Sequence, residues 1–300
     1  MTEYLPADRL VWANGWMEGL TVAAIIFGAI MGGLLIGDHF QTLVDQQLIG
    51  HWWSFGITSA PKFAIVFILV LYVVAAVFNL FIPELPIEKP WPKESIGYLW
   101  TDFWRGFKVL WKDPLGQVSL AVTSLFWGAG TTLRFIILVW AAASFDFNLQ
   151  QATQLTAVVA IGLAVGSVIA AKNIVLEHAV KVLPLGIAMG VVVLMMAWIT
   201  DWPLAILLLI LTGALAGSFL IPMNALLQHR GHLLMGSGQS IALQNFNENS
   251  SILLMLGAYA LMVEAELPIK TIVVVFGLFI AFTMSWLNYK HGNDQDHGEL

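Results

Sequence analysis

Residues 204–227 have the sequence LAILLLILTGALAGSFLIPMNALL, which contains no charged side chain. An α-helix rises about 1.5 Å per residue, so about 20 apolar residues are needed to cross the hydrocarbon core of a bilayer. The stretch therefore predicts a membrane-spanning helix.

Other apolar stretches of similar length occur along the whole chain. They predict seven further spans, at about 17–37, 62–82, 117–143, 150–171, 182–199, 238–263 and 269–289. Charged residues make up 11% of the 300 residues, whereas soluble proteins average about 25%. Barrel strands would show shorter segments of alternating polarity, which the sequence lacks. The expected fold class is an all-α polytopic membrane protein with about eight transmembrane helices.

The basic residues predict the orientation of these spans, because Lys and Arg favour the cytoplasmic side of a membrane. An even number of spans places both termini on one side. If that side is cytoplasmic, the opposite segments contain only Lys62 and Lys270. The cytoplasmic segments then contain Arg9, Lys89, Lys93, Arg105, Lys108, Lys112, Lys172, Lys181, Arg230 and Lys290. Both termini are therefore expected in the cytoplasm.

The longest hydrophilic stretch, at about 83–116, divides the chain. Residues 1–82 contain two predicted spans, and residues 117–289 contain six, followed by a cytoplasmic tail at 290–300. A regular helix is precluded at the start of this central linker by Pro83, Pro86, Pro90 and Pro92.

Residues 94–112 of the linker predict an amphipathic helix. Helical periodicity places its aromatic side chains on one face: Trp100, Phe103, Trp104, Phe107 and Trp111. Basic residues accompany them, namely Arg105, Lys108 and Lys112. The helix either lies on anionic lipid at the cytoplasmic surface or connects the two parts of the chain while packed on the bundle. The sequence leaves both interpretations open.

Five Gly-xxx-Gly pairs lie in the predicted spans. This spacing lets helix backbones approach closely, so static packing is favoured over a role as a sliding surface. The pairs are Gly28 and Gly32, Gly33 and Gly37, Gly162 and Gly166, Gly186 and Gly190, and Gly213 and Gly217.

Strongly polar side chains are few inside the spans, and most of them cluster between residues 244 and 249. A charge in hydrocarbon costs about 2.5–3.5 kcal/mol or more, so such groups usually have a partner or line a polar path. This pattern indicates a transporter. The substrate-binding candidates are Arg134, Gln244, Asn245, Glu248 and Asn249.

Gln244 and Glu248 are four residues apart and are expected on one helix face. An ion pair between Glu248 and Arg134 is geometrically possible, because their depths are expected to differ by only about 7 Å. Three structural roles compete with a function: amides that hold helices together, a protonated and hydrogen-bonded Glu248, and an Arg134 that extends to the interface.

An offset of 230 residues aligns Asn14 with Gln244 and Glu18 with Glu248. The first and seventh spans therefore both begin with an amide followed four residues later by glutamate. Such a match fits two parallel repeats related by an axis along the membrane normal, and it also fits chance.

Candidate gating residues are Pro222, Asn224 and Glu18. A proline within a helix frees a backbone carbonyl, which Asn224 or water can satisfy, so a kink used in gating and a simple distortion of the helix end are both open. The segment at 229–232, His-Arg-Gly-His, is expected to form a solvated turn.

Motifs of enzyme and metal sites are absent from the sequence. It contains no cysteine and no HExxH, Walker A or nucleophile-elbow pattern, and its seven histidines show no metal-ligand spacing. A protein that is not an enzyme, with no cofactor and no metal site, is expected.

Four stretches resemble the LplT family of bacterial lysophospholipid transporters, within the major facilitator superfamily. They are residues 9–18 (RLVWANGWME), 124–135 (SLFWGAGTTLRF), 222–231 (PMNALLQHRG) and 243–250 (LQNFNENS). The likeness runs over about residues 3–289. It implies twelve helices in two halves around a central cavity, with Arg134 contacting the lipid headgroup or closing a charge lock.

The resemblance also implies a function. Lysophosphatidylethanolamine and lysophosphatidylglycerol would be flipped across the bacterial inner membrane by alternating access and reacylated, with an acyl-ACP synthetase/lysophospholipid acyltransferase as the implied partner. Two alternatives remain: a major facilitator transporter of small amphipathic solutes or drugs, and a non-transporting membrane partner of a lipid acyltransferase.

Met1 aligns just before the fifth helix of the family, so the eight spans are expected to be helices five to twelve. The first four helices are then missing from this chain. Either the sequence is a fragment or the protein is a short form.

Overall fold

The computed structural model describes residues 5–36, 42, 60–82 and 96–291. The prolines of the linker and all of the tail beyond His291 lie outside these residues. The α-helices found within them are α1 (Leu10–Ile36), α2 (Ala60–Asn79), α3 (Ile96–Lys112), α4 (Pro114–Phe145), α5 (Leu149–Asn173), α6 (Leu183–Met196), α7 (Trp202–Met235), α8 (Ser237–Glu264) and α9 (Ile269–His291).

The all-α membrane fold class is confirmed. Across the described residues there is no β-strand, and six helices are long and apolar enough to cross a membrane. These six correspond to α2, α4, α5, α6 with the 3-10 turn before it, α7 and α9. The remaining predicted spans coincide with α1 and α8, which contain 27 and 28 residues. Polar residues in the first half of α8 lower its hydropathy.

Two compact units make up the fold. One comprises Met1–Val22 with Glu88–Leu300, and the other comprises Ala23–Ile87. The first unit contains the beginning of α1 and helices α3 to α9, while the second contains the rest of α1 and α2. The division into residues 1–82, 83–116, 117–289 and 290–300 stays a prediction.

Glycines let the backbones of α5 and α7 touch. A Cβ at Gly166 would overlap the carbonyl oxygen of Ala214, and a Cβ at Gly213 would overlap that of Val159. Gly162 and Gly217 meet the partner backbone in the same way. We call these four glycines the α5–α7 seam. They belong to two Gly-xxx-Gly motifs that pack against each other and hold α7 within the unit.

A second seam joins α6 to α9. Gly190 faces the backbone of Ala281, and Gly277 faces that of Leu194. Gly186 lies against the side chain of Met284. Three of the five predicted pairs therefore serve close packing. Gly37, which belongs to one of the remaining two pairs, lies outside the described residues.

Asp113 fixes the corner between α3 and α4. Its carboxylate accepts the backbone N–H of Gly116 at 2.7 Å, which caps α4 at its N-terminus. The same carboxylate accepts two hydrogen bonds from Arg230, one of them from Nε at 3.1 Å. This ion pair is mostly buried and ties the start of α4 to the last turns of α7.

The turn expected at 229–232 is wrong, because α7 continues through these residues to Met235. Gly231 is needed there for close packing rather than for a turn: a Cβ would overlap the side chain of Ser240 on α8. The helix ends instead at Gly236, whose φ of 93° is readily accessible only to glycine.

We expect Gly166→Ala to destabilise the protein, because a methyl group has no space beside the Ala214 carbonyl. Overpacking of this kind costs about 1–3 kcal/mol, so the midpoint of thermal unfolding in detergent should fall by several degrees. Gly257→Ala in α8 is the matched control, since nothing lies within 4 Å of an added Cβ there. An equal effect of both substitutions would contradict the close contact.

Candidate functional site

Amide side chains from α1, α7 and α8 form one continuous hydrogen-bond network. Asn14 Nδ2 donates to Gln228 Oε1 and Gln228 Nε2 donates back to Asn14 Oδ1, both at 3.1 Å. Asn224 Nδ2 also donates to Asn14 Oδ1, at 3.0 Å. On its other side Asn224 Oδ1 accepts from Gln244 Nε2 at 2.9 Å, and Gln244 Nε2 donates to Glu248 Oε1 at 2.7 Å. We call these five residues the amide network.

Helical spacing places the α7 and α8 members of the network on one face of each helix. Asn224 and Gln228 are four residues apart on α7, as Gln244 and Glu248 are on α8, so each pair shares a helix face. Asn14 is 4% exposed and Glu248 is 8% exposed. The hydrogen bond between Gln244 and Glu248 confirms their expected shared face, and the buried Asn14 and Glu248 have partners where water is largely excluded.

Both amides matched by the offset of 230 residues bind Asn224. Asn14 accepts from its Nδ2 group, and Gln244 donates to its Oδ1 atom. The two matched positions thus lie on either side of one asparagine. The repeat itself stays a prediction.

Packing next to Asn14 brings α1 close to α5. A Cβ at Gly15 would overlap the Cβ of Ala171 and would lie 2.9 Å from the carbonyl oxygen of Ser167. The beginning of α1 is therefore held in the unit both by the amide network and by this small-residue contact.

Pro222 is buried within α7, two residues before Asn224. A proline at this point cannot donate to the carbonyl of Ser218, one turn earlier. The hydrogen bond that Asn224 Nδ2 makes goes to Asn14 Oδ1 and not to that carbonyl. Pro222 therefore weakens α7 locally, next to the residue that links the network.

Arg134 and Glu248 do not form an ion pair. Gly128 of α4 packs against Ser251 of α8, and the two helices run in the same direction. At about 1.5 Å per residue, Arg134 lies about 9 Å beyond this contact and Glu248 about 4–5 Å before it. The register of the helices thus offsets the two residues by about 13–14 Å along the helix axes. Arg134 is exposed and has no ion-pair or hydrogen-bond partner among the described residues.

Other candidate residues lie outside the network. Asn245 and Asn249 are exposed, and Asn249 Nδ2 donates to the carbonyl of Asn245 within its own helix at 2.7 Å. Glu18 is half-buried and has no hydrogen-bond partner within the ranges that the structure covers. The roles of these residues stay predictions.

Sequence reasoning missed Gln228 and the buried pair of Asp113 with Arg230. A signal was present for each. Gln228 follows Asn224 by four residues, which extends its polar face by one helical turn. Asp113 directly precedes a proline, the pattern of an N-cap at a helix start.

The chain is similar to proteins called lysophospholipid transporter LplT. It is 40% identical over 286 residues to the protein of Enterobacter sp. (strain 638), covering 95% of this chain and 67% of that one. It is 36% identical over 271 residues to the protein of Yersinia pestis (strain Pestoides F), covering 90% and 62%. The chain belongs to the LplT family. It spans only about two thirds of the length of these relatives, with 67% and 62% coverage.

The family resemblance inferred from the sequence motifs is therefore confirmed. No protein-family model and no solved structure matches the chain. The amide network is a hydrogen-bond chain of five side chains from three helices in the described part of this chain.

We expect Asn224→Ala to destabilise the protein, because Asn14, which is buried, and Gln244, which is half-buried, each lose a hydrogen-bond partner. Leaving buried polar groups unpaired costs about 1–3 kcal/mol, which thermal unfolding in detergent would detect. Asn249→Ala is the control, since its exposed amide bonds only to its own helix.

A double-mutant cycle of Asn14→Ala with Gln228→Ala would check the reciprocal amide pair. We expect a coupling energy of about 0.5–3 kcal/mol, as found for residues in contact. Purely additive effects would show that the pair contributes no direct interaction.

Proposed function

We propose that this protein transports lysophospholipids across the bacterial inner membrane, with both termini in the cytoplasm. The observation that carries the proposal is the 36–40% identity to lysophospholipid transporters over 90–95% of the chain. The distribution of Lys and Arg supports the orientation. Lysophosphatidylethanolamine and lysophosphatidylglycerol are the proposed substrates, with reacylation by an acyltransferase as the proposed fate.

Arg134 is the proposed contact for the phosphate of the substrate. A guanidinium at membrane depth usually has a partner or lines a polar path, and this one has no partner among the described residues. Trp127 lies seven residues earlier on the same face of α4 and is 40% exposed. The face therefore offers a cation for a phosphate and an apolar ring for the lipid, the two parts of a lysophospholipid.

The amide network is the proposed gate. By the family resemblance, α1 belongs to the first half of the transporter, whereas α7 and α8 belong to the second. Asn14 makes three hydrogen bonds to Asn224 and Gln228. Each contributes about 0.5–1.5 kcal/mol net, so their sum is within the few kcal/mol that separate two accessible conformations.

Pro222 and Glu248 have supporting roles in this proposal. Pro222 lets α7 bend beside Asn224, because one backbone hydrogen bond is missing there. Glu248 holds Gln244 in position through the 2.7 Å hydrogen bond. Glu18, one turn after Asn14 on α1, is a further proposed gating residue.

Uptake of labelled lysophosphatidylethanolamine into spheroplasts that express the protein would test the transport function. Uptake above that of cells with an empty vector is expected. Competition with unlabelled lysolipids should abolish it, whereas small amphipathic drugs should not. Uptake equal to the empty vector would overturn the proposal, and displacement by drugs alone would favour a facilitator of amphipathic solutes.

We expect Arg134→Ala and Glu248→Gln to lower transport while expression is preserved. Loss of one charge-assisted hydrogen bond is worth about 1.5–3 kcal/mol, which corresponds to a decrease of about tenfold or more for Arg134→Ala. Lys181→Ala removes an exposed charge from the 3-10 turn before α6, outside α4, and is the control. Wild-type flux in both variants would refute the site.

A further inference from the structure

The outer surface of α3 contains a shallow pocket that combines aromatic and basic side chains. Trp100, Thr101, Trp104, Arg105 and Lys108 line it, and its volume is about 420 Å³. Small-ligand sites usually occupy about 300–1,000 Å³, so the space suffices for a polar headgroup.

The inner face of α3 is already used for packing. Phe103, Phe107 and Leu110 pack with buried leucines of α4, α7 and α8. Gln239 Nε2 donates to the backbone carbonyl of Asp102 at 2.9 Å and to its carboxylate at 3.1 Å. The helix is thus docked on the bundle as the second interpretation of the sequence expected, yet the pocket lies on its other side.

The pocket has an excess of positive charge. Arg105 Nη1 lies 3.7 Å from Asp102 Oδ1, and the side chain of Arg105 is 64% exposed. Lys108 is exposed and has no partner among the described residues, and Lys112 follows one turn later. Asp102 balances the charge of one of the two cations, Arg105 and Lys108, so one positive charge remains in excess at the pocket. An anionic ligand is favoured.

The two tryptophans indicate that this ligand is a lipid. Trp100 is 66% exposed, and its ring lies edge-on to that of Trp104 with 5.8 Å between centroids. Exposed tryptophans favour the boundary between headgroups and acyl chains. Together with the basic residues, they match the polar and apolar parts of a membrane phospholipid.

We propose that this pocket binds the headgroup of an anionic diacyl phospholipid from the cytoplasmic leaflet. Arg105 and Lys108 hold the phosphate, and Trp100 and Trp104 contact the glycerol and the first acyl carbons. This lipid is a resident of the protein surface and not the transported substrate, so the inference goes beyond the proposed transport function.

Binding here would act on the helix that carries part of the amide network. Phe246 of α8 lies 5.2 Å from Phe103 and 6.4 Å from Trp104, measured between ring centroids. Gln239, also on α8, is bonded to Asp102. A lipid that holds α3 in place therefore also stabilises the position of α8, next to Gln244 and Glu248.

Native mass spectrometry of the purified protein would test the proposal with phosphatidylglycerol and phosphatidylethanolamine at equal concentration. We expect retained phosphatidylglycerol to exceed phosphatidylethanolamine, and Arg105→Gln with Lys108→Gln to lower its retention about tenfold or more. The control, Lys172→Gln with Lys181→Gln, removes two exposed lysines elsewhere and should retain the lipid as the wild type does.

Thermal unfolding separates lipid binding from folding. Without lipid, the double variant should unfold at the temperature of the wild type, and phosphatidylglycerol should stabilise only the wild type and the control. If the double variant does not fold, Lys108→Gln alone is measured and should show a smaller loss of retention. Equal losses in the variant and its control would overturn the site.

Lysophosphatidylglycerol and glycerol phosphate distinguish the source of the phosphate. Preferential retention of diacyl phosphatidylglycerol supports a resident lipid. Preferential retention of the lyso form would assign the pocket to the cargo and overturn the proposal. Displacement by glycerol phosphate alone would also overturn it, because the tryptophans would then contribute nothing.

Discussion

A polar group inside hydrocarbon needs a partner, and this constraint organises the first unit of the fold. Buried hydroxyls satisfy it locally: Ser119, Thr132 and Thr212 each donate to a carbonyl four residues earlier in their own helix. Long amides cannot all do so. Asn14, Asn224 and Gln244 find one another across three helices, which makes their bonds sensitive to how those helices are arranged.

The glycine seams provide the rigid frame around this network. At the α5–α7 seam the two backbones touch, so α7 has a fixed register relative to α5. Asp113 holds the C-terminal end of α7 through Arg230. Between these two fixed points lies Pro222, where the helix lacks a hydrogen bond. Helix α7 is thus held on both sides of Pro222 and weakened at Pro222, which suits a helix that takes part in the proposed gate.

Helix α3 shows how one amphipathic segment can use two surfaces. Its phenylalanines pack on α4, α7 and α8, whereas Trp100 and the basic side chains line the pocket on the outer surface. The two interpretations of the sequence are therefore compatible, because a helix has enough circumference to pack on one side and to meet lipid on the other.

Local patterns in the sequence determined the all-α membrane fold class, the positions of the helices, the family and the shared face of Gln244 and Glu248. The family follows from the resemblance of four short stretches, and the rest follows from hydropathy or from the 3.6-residue period, which involve only neighbouring residues. The tertiary structure decided which helices meet. It joined Asn14 to Gln228, 214 residues away, and it separated Arg134 from Glu248 through the contact of Gly128 with Ser251. Such register depends on the packing of distant backbones, which no local pattern specifies.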